Sequence, residues 1–264
     1  MHIFDRDISV SENDSPGFDV EVSGNWSVNG TPNGGYLMAL MASAMVRQGD
    51  MRSTPIVTAN YISRCVPGRA RIEVERISLT KQFNRMQAKL IQDGKEKVRA
   101  NGTFSDEKNE CFIERYETGA PDIAPLDACV PIPTMPKYTL MDNLDIRLDP
   151  ECAGWMSGKL ADRSEQKGWI SFRDERPLDM LSILLIADSF PPPVFATQGL
   201  IAWVPTVELT VNVRNIPVTK WLKCTLRTRF ITCGLLEEDG EVWDGEGNLV
   251  AISRQIAQFR KIGQ

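Results

Sequence analysis

Two stretches of the chain are apolar on nearly every side, and each is followed by segments in which apolar and polar residues alternate. Residues 33–46 carry no charge and are hydrophobic almost all round, which predicts a fully buried helix. Residues 54–63, 69–80, 86–92 and 95–104 are rich in β-branched side chains and partly alternating, the pattern of strands. Asp93-Gly94 between the last two is a two-residue hairpin turn. The series then recurs. Residues 177–189 predict a second helix, with Pro177 at its first turn and Pro191-Pro192-Pro193 barring its continuation. Strands are expected at 203–214, 221–232, 237–243 and 248–260, with leading strands at 18–28 and in a pair near 154–160 and 168–173.

The recurrence extends to particular residues. Pro55, Val57, Arg64 and Pro67 reappear as Pro205, Val207, Arg214 and Pro217, at a constant offset of 150. Asp93-Gly94 with Val98 and Ala100 matches Asp244-Gly245 with Leu249 and Ala251, at an offset of 151. At these offsets Asp188 falls where the first copy has Leu37 or Met38, and Gln255 aligns with Phe104. Between the copies, residues 105–109 are polar, and Pro121, Pro125, Pro131, Pro133 and Pro136 punctuate an irregular stretch. The chain therefore divides into an N-terminal unit at 1–120, a Pro-rich linker at 121–140 and a C-terminal unit at 141–264. Helix followed by antiparallel strands, twice, is an α+β architecture. Joining the two sheets edge to edge removes the open edge that each would have alone.

Composition narrows the chemistry. The formal net charge is −5 and no basic block occurs, so no nucleic-acid footprint is expected. The opening MHIFDRDISV lacks the basic-then-apolar pattern of a signal segment, and the longest apolar runs are too short to span a bilayer; a cytoplasmic protein without stable membrane association is expected. The six cysteines include no CxxC pair and none has a histidine nearby, so they read as free thiols, with no metal site. The single histidine, His2, is expected at a mobile terminus, which excludes Ser-His-Asp and Cys-His machinery. GxSxG, Walker A and GxGxxG motifs are absent. Carboxylates, hydroxyls, amides and backbone dipoles remain.

Asp188 stands three, four and seven residues after Leu185, Leu184 and Leu181, so its carboxylate projects from the apolar stripe of the second helix. The alternative is that it emerges into solvent at the helix end or caps local backbone. Gln255 alternates with Ala251, Ser253, Ala257 and Phe259, placing an amide among small and apolar groups, as a site residue or as a satisfied structural amide. Thr206 and Glu208 share the more polar face of their strand with Thr210, where a solvated face is the plain alternative. Gly34-Gly35 opens the first helix, whose free amides up to Tyr36 form either an oxyanion site or a tight turn into the helix. Lys81, Arg85, Arg71 and Arg227 are phosphate contacts or simply solvated cations.

At these residues the sequence resembles the acyl-CoA thioesterase II (TesB-like) family of double-hotdog enzymes, in which each of two tandem sheets wraps one long helix. In Leu185-Ile-Ala-Asp188-Ser189 the aspartate matches the family's catalytic aspartate; Thr206 in Pro205-Thr206-Val-Glu208 matches its threonine, and Gln255 in Val250-Ala251-Ile-Ser-Arg-Gln255 its late-strand glutamine. Asn33-Gly34-Gly35-Tyr36-Leu37 resembles the start of its N-terminal helix. The family's histidine in the Thr206 strand is Leu209 here, and its aromatic pair is Asn212 and Val213. The resemblance implies hydrolysis of an acyl-CoA without a cofactor: Asp188, Thr206 and Gln255 hold the attacking water while the amides of Gly34, Gly35 and Tyr36 polarise the thioester. It also implies a homo-oligomer, a dimer being favoured. A hotdog hydratase would need an Asp/His pair, which the lack of an internal histidine disfavours. A non-catalytic acyl-CoA or fatty-acyl binding protein on the same fold is the alternative of another class.

Overall fold

A computed structural model of the protein describes residues 1–12, 17–49, 53–105 and 113–261. The first half contains β1 (Phe18–Val22), α1 (Gly34–Gln48), β2 (Ser53–Tyr61), β3 (Gly68–Leu79), β4 (Phe83–Gln92) and β5 (Lys95–Ser105). The second contains β6 (Leu144–Leu148), β7 (Glu165–Phe172), α2 (Met180–Ile186), α3 (Phe195–Gln198), β8 (Thr206–Val213), β9 (Leu222–Arg227), β10 (Leu235–Trp243) and β11 (Leu249–Gln258). These strands form one antiparallel sheet in the order β1-β3-β4-β5-β2-β8-β11-β10-β9-β7-β6, extended at its two ends by Ser11–Glu12 and Val130–Pro131. The α+β double-hotdog expectation is met: one helix of each half lies against the sheet's inner face.

The repeat is written into the central seam. β2 and β8 pair antiparallel with Ala59 opposite Leu209, residues that the 150-residue offset equates, so an approximate twofold passes between them. One step along, the hydroxyls of Thr58 and Thr210 meet at 2.9 Å.

α1 is buried along most of its length, from Gly35 to Met45, because its stretch carries no charge. Asn33 caps it by accepting from the Tyr36 amide. α2 is shorter than its sequence suggests. Asp179 and Ser182 form a reciprocal capping box, so the helix starts at Met180 and Pro177 lies outside it.

Other expectations are corrected. The leading strand ends at Val22, where Ser23 caps a short 3-10 turn over Gly24–Trp26. Residues 154–160 form no strand: Ala153–Ser157 is a 3-10 turn closed by left-handed Gly158, and the partner of β7 is β6, whose Leu144, Ile146 and Leu148 are buried. The expected strand at 203–214 is split before Thr206, and the one at 221–232 by a turn after Arg227. His2 is held: it caps the helix Ile3–Asp7 and its ring meets Phe172 edge-on at 5.1 Å. The polar segment at 106–109 and Cys111 lie outside the described residues; Cys65, Cys129, Cys152, Cys224 and Cys233 are free thiols.

Candidate active site at the helix crossing

The start of α1 packs against the end of α2. A Cβ on Gly35 would lie 2.6 Å from the carbonyl oxygen of Leu184 and 2.9 Å from that of Leu185, so only glycine permits this approach. The approach delivers Asp188, just past α2, to the N-terminus of α1. Its Oδ2 accepts from the Gly35 amide at 2.8 Å and from Asn33 Nδ2 at 3.0 Å, and Asn33 Nδ2 also reaches the Asp188 carbonyl at 2.7 Å. Asp188 is thus partly buried and caps the other half's helix, not its own. No described residue donates a hydrogen bond to Oδ1, although the Gly34 amide also turns toward the carboxylate.

Burial dominates the electrostatics, pushing Asp188 up to about 6, while the Gly35 amide, Asn33 and the Gly34 amide pull it back. The positive end of the α1 dipole acts in the same direction as those donors. Tyr61 lies alongside and donates to the Gly34 carbonyl at 2.7 Å. Burial, and then the Asp188 charge, raise its phenol well above the ordinary tyrosine range.

Two of the three amides expected to face a substrate oxygen already have acceptors. The Gly35 amide bonds Asp188 and the Tyr36 amide bonds Asn33 Oδ1. The reason is that a buried carboxylate and a helix N-terminus satisfy each other's unpaired groups.

Thr206 and Gln255 share the inner face, by a route the sequence does not reveal. Thr206 pairs with Ala257 and Glu208 with Ile256, so Val207 is an extra residue, a β-bulge. The bulge turns Thr206 away from the exposed face of Glu208 and Thr210 onto that of Leu209, Gln255 and Ala257. This corrects the expectation that Thr206 and Glu208 share a face. Gln255 is buried opposite Leu209 on one side and Glu238 on the other. Neither the Thr206 hydroxyl nor the Gln255 amide has a hydrogen bond among the described residues, so both are available to a bound molecule.

Register also changes Gln255's counterpart. Ala59 pairs with Ala100, and Leu209 with Gln255, so Gln255 corresponds to Ala100, not Phe104. The hairpin before β11 is wider than Asp93-Gly94, which shifts the offset downstream.

Glu238, not singled out from the sequence, joins the group. It is 5% exposed, its Oε1 has no partner among the described residues, and it corresponds by register to Ala88. Burial first, then the charges of Asp188 and Glu237, push it up to about 8. Of the two carboxyls, Asp188 is therefore the readier to ionise, and its charge disfavours a second one on Glu238. The signal was in the sequence: Leu236, Glu238, Gly240 and Val242 alternate on one face. Its neighbour Glu237 points the other way and accepts from the Arg229 and Phe230 amides, closing a turn.

The four cations are dispersed. Arg227 pairs with Glu165 and Arg71 with Asp19, Arg85 lies over Phe83, and Lys81 is exposed. A surface cleft of about 1230 Å³ lies elsewhere, between Arg6, Asp19, Arg69, Arg71 and Asp93. No helix of the described residues is long and apolar enough to cross a membrane.

Comparison with known proteins agrees with this architecture. An uncharacterized protein of Mycobacterium tuberculosis is 25% identical over 265 residues, covering 91% of this chain and 90% of that protein. The fold matches a candidate thioesterase II of Thermobifida fusca with a TM-score of 0.90 at 22% identity, over 99% of this chain and 98% of that one. It also matches an acyl-CoA thioesterase II of Mycobacterium marinum with a TM-score of 0.77 at 15% identity, over 98% and 99%. Residues 22–105 match the acyl-CoA thioesterase N-terminal domain and residues 126–259, more than half of the chain, the acyl-CoA thioesterase C-terminal domain; the chain belongs to the acyl-CoA thioesterase family.

Proposed function

We propose that the protein hydrolyses acyl-CoA thioesters by direct attack of water, with Asp188 as general base. The observation that carries this reading is the state of the Asp188 carboxylate. One oxygen is pinned by Gly35 and Asn33, the other has no hydrogen bond from the described residues, and burial brings its pKa near the operating range of a base. A water on Oδ1 would be oriented by Thr206 and Gln255, whose polar groups are unclaimed on the same face. Asp188 accepts its proton as the oxygen bonds to the thioester carbon. The carbonyl oxygen lies beside Gly34–Tyr36, where the α1 dipole and the amide shared with Asp188 stabilise the oxyanion. Collapse of the tetrahedral intermediate expels the CoA thiolate, and the acid product leaves without a covalent enzyme intermediate.

Residues 1–120 and 141–264 would act as two specialised units joined through 121–140, one supplying the helix start and the other the water-holding side chains. Cytoplasmic residence and a dimer belong to the same reading. Thiol release from a panel of acyl-CoAs, with binding measured in parallel, tests it. Release of CoA supports hydrolysis; tight binding without release favours the acyl-binding alternative.

A further inference from the structure

The two halves differ on the inner face of β7, β9, β10 and β11. Register equates Phe18 with Gln166, Leu90 with Gly240, Val98 with Ser253 and Ala88 with Glu238. Thr228, next on the inner alternation of β9, takes the place of Val74. The first half is apolar at each of these positions; the second is polar or lacks a side chain.

Three of these polar side chains, on Gln166, Thr228 and Glu238, are buried with atoms that lack a partner among the described residues. Gln166 is fully buried and neither its Nε2 nor its Oε1 has a hydrogen bond among the described residues; Thr228 Oγ1 and Glu238 Oε1 are in the same condition. An amide with both ends unsatisfied in a closed interior is a standing cost unless something else supplies the bonds. The covering elements leave scope for that. α2 has 7 residues where α1 has 15, so the outer strands of this half are roofed by other pieces. α3 closes over them, Thr197 meeting the Ser164 hydroxyl at 2.7 Å and Phe195 packing on Trp155.

We propose that this inner face of β7, β9 and β10 binds the acyl group, and that the preferred acyl group carries a neutral hydrogen-bonding function, a hydroxyl, well away from its thioester carbon. The inference rests on the hydrolase reading only for the CoA end of the ligand. Its polarity follows from the lining: Gln166 and Thr228 donate and accept, and among the described residues no cation belongs to the inner alternation of β7, β9 and β10 to hold a carboxylate. Its position follows from the sheet. Gln166 stands three strands from Gln255 and two residues along, about 16 Å over a flat sheet, so the hydroxyl would sit far down an extended acyl chain from the Asp188 site.

The test uses S-alkyl-CoA thioethers, which resist hydrolysis, in plain and terminally hydroxylated forms of equal length. Calorimetry on the wild-type chain should show the hydroxylated thioether binding about tenfold tighter or better, because a site built to bond a hydroxyl discriminates against its absence. Gln166→Leu with Thr228→Val should bring the two within about twofold, and Thr228→Val alone should narrow the gap if the double variant does not fold. Equal or weaker binding of the hydroxylated form overturns the proposal, as does no binding of either thioether or an unchanged ratio in the variants. Failure of thiol release from every acyl-CoA would contradict the hydrolase reading while leaving this comparison intact.

Discussion

Asp188 Oδ2 lies 2.8 Å from the amide of Gly35, a residue 153 positions earlier in the chain. Each half supplies what the other lacks: one a helix start with an amide to give, the other a partly buried carboxylate to receive it. The site exists only where the two copies meet, so its integrity depends on how closely the helices approach.

Gly35→Ala tests that dependence. The added methyl meets the Leu184 and Leu185 carbonyls and Asp188 Cβ, all within 3 Å. We expect a loss of about 1–3 kcal/mol in chemical denaturation, the ordinary range for overpacking, and a disproportionate fall in kcat as Asp188 is displaced. Wild-type stability and turnover would show that the contact is unimportant.

The Asp188 pKa gives stability a direction with pH. Its folded value, about 6, exceeds the unfolded value of 3.8, so between these pH values the folded chain binds more protons. Stability from this group is therefore highest below pH 3.8 and falls as pH rises toward 6, by roughly 3 kcal/mol at most. Asp188→Asn removes the effect. Its melting temperature should exceed that of wild type at neutral pH, with the difference closing on acidification. A variant less stable than wild type at neutral pH would show that the charge is net stabilising.

Activity should follow a bell. kcat/KM rises as Asp188 ionises near pH 6 and declines as Glu238 acquires a second buried negative charge near pH 8. Glu238→Gln should leave the acid limb in place and abolish the alkaline decline. An unchanged alkaline limb would assign that decline to another group.

Thr206→Val and Gln255→Leu remove the groups proposed to orient the water. Each should lower kcat by about tenfold to a hundredfold with KM little altered, since the interactions serve the attacking water more than ground-state binding. Changes confined to KM would move these residues to substrate binding.

Much of the architecture was legible because it follows from local pattern. The uncharged run of α1 could only be buried, and the alternation of β2 through β5 fixed their faces. What the sequence withheld depended on small departures from periodicity. A single extra residue at Val207 reverses the face of Thr206, and a wider hairpin moves Gln255's counterpart from Phe104 to Ala100. Asp188 was found from helix spacing, but its partner was not, because nothing local ties Gly35 to a residue in the other copy. β6 was missed although Leu144, Ile146 and Leu148 alternate cleanly, since the proline-rich run ahead of it reads as unbroken linker.

The central claim is that the Asp188 carboxylate removes a proton from the attacking water. Single-turnover thiol release by Asp188→Asn, at neutral pH with an acyl-CoA that the wild-type chain hydrolyses, tests it most directly. Asparagine keeps the shape and can still accept from the Gly35 amide, so the fold is retained while the base is lost. The account predicts a fall in the chemical rate of about a hundredfold or more with circular dichroism unchanged. Turnover within a few-fold of wild type in a folded variant would contradict it.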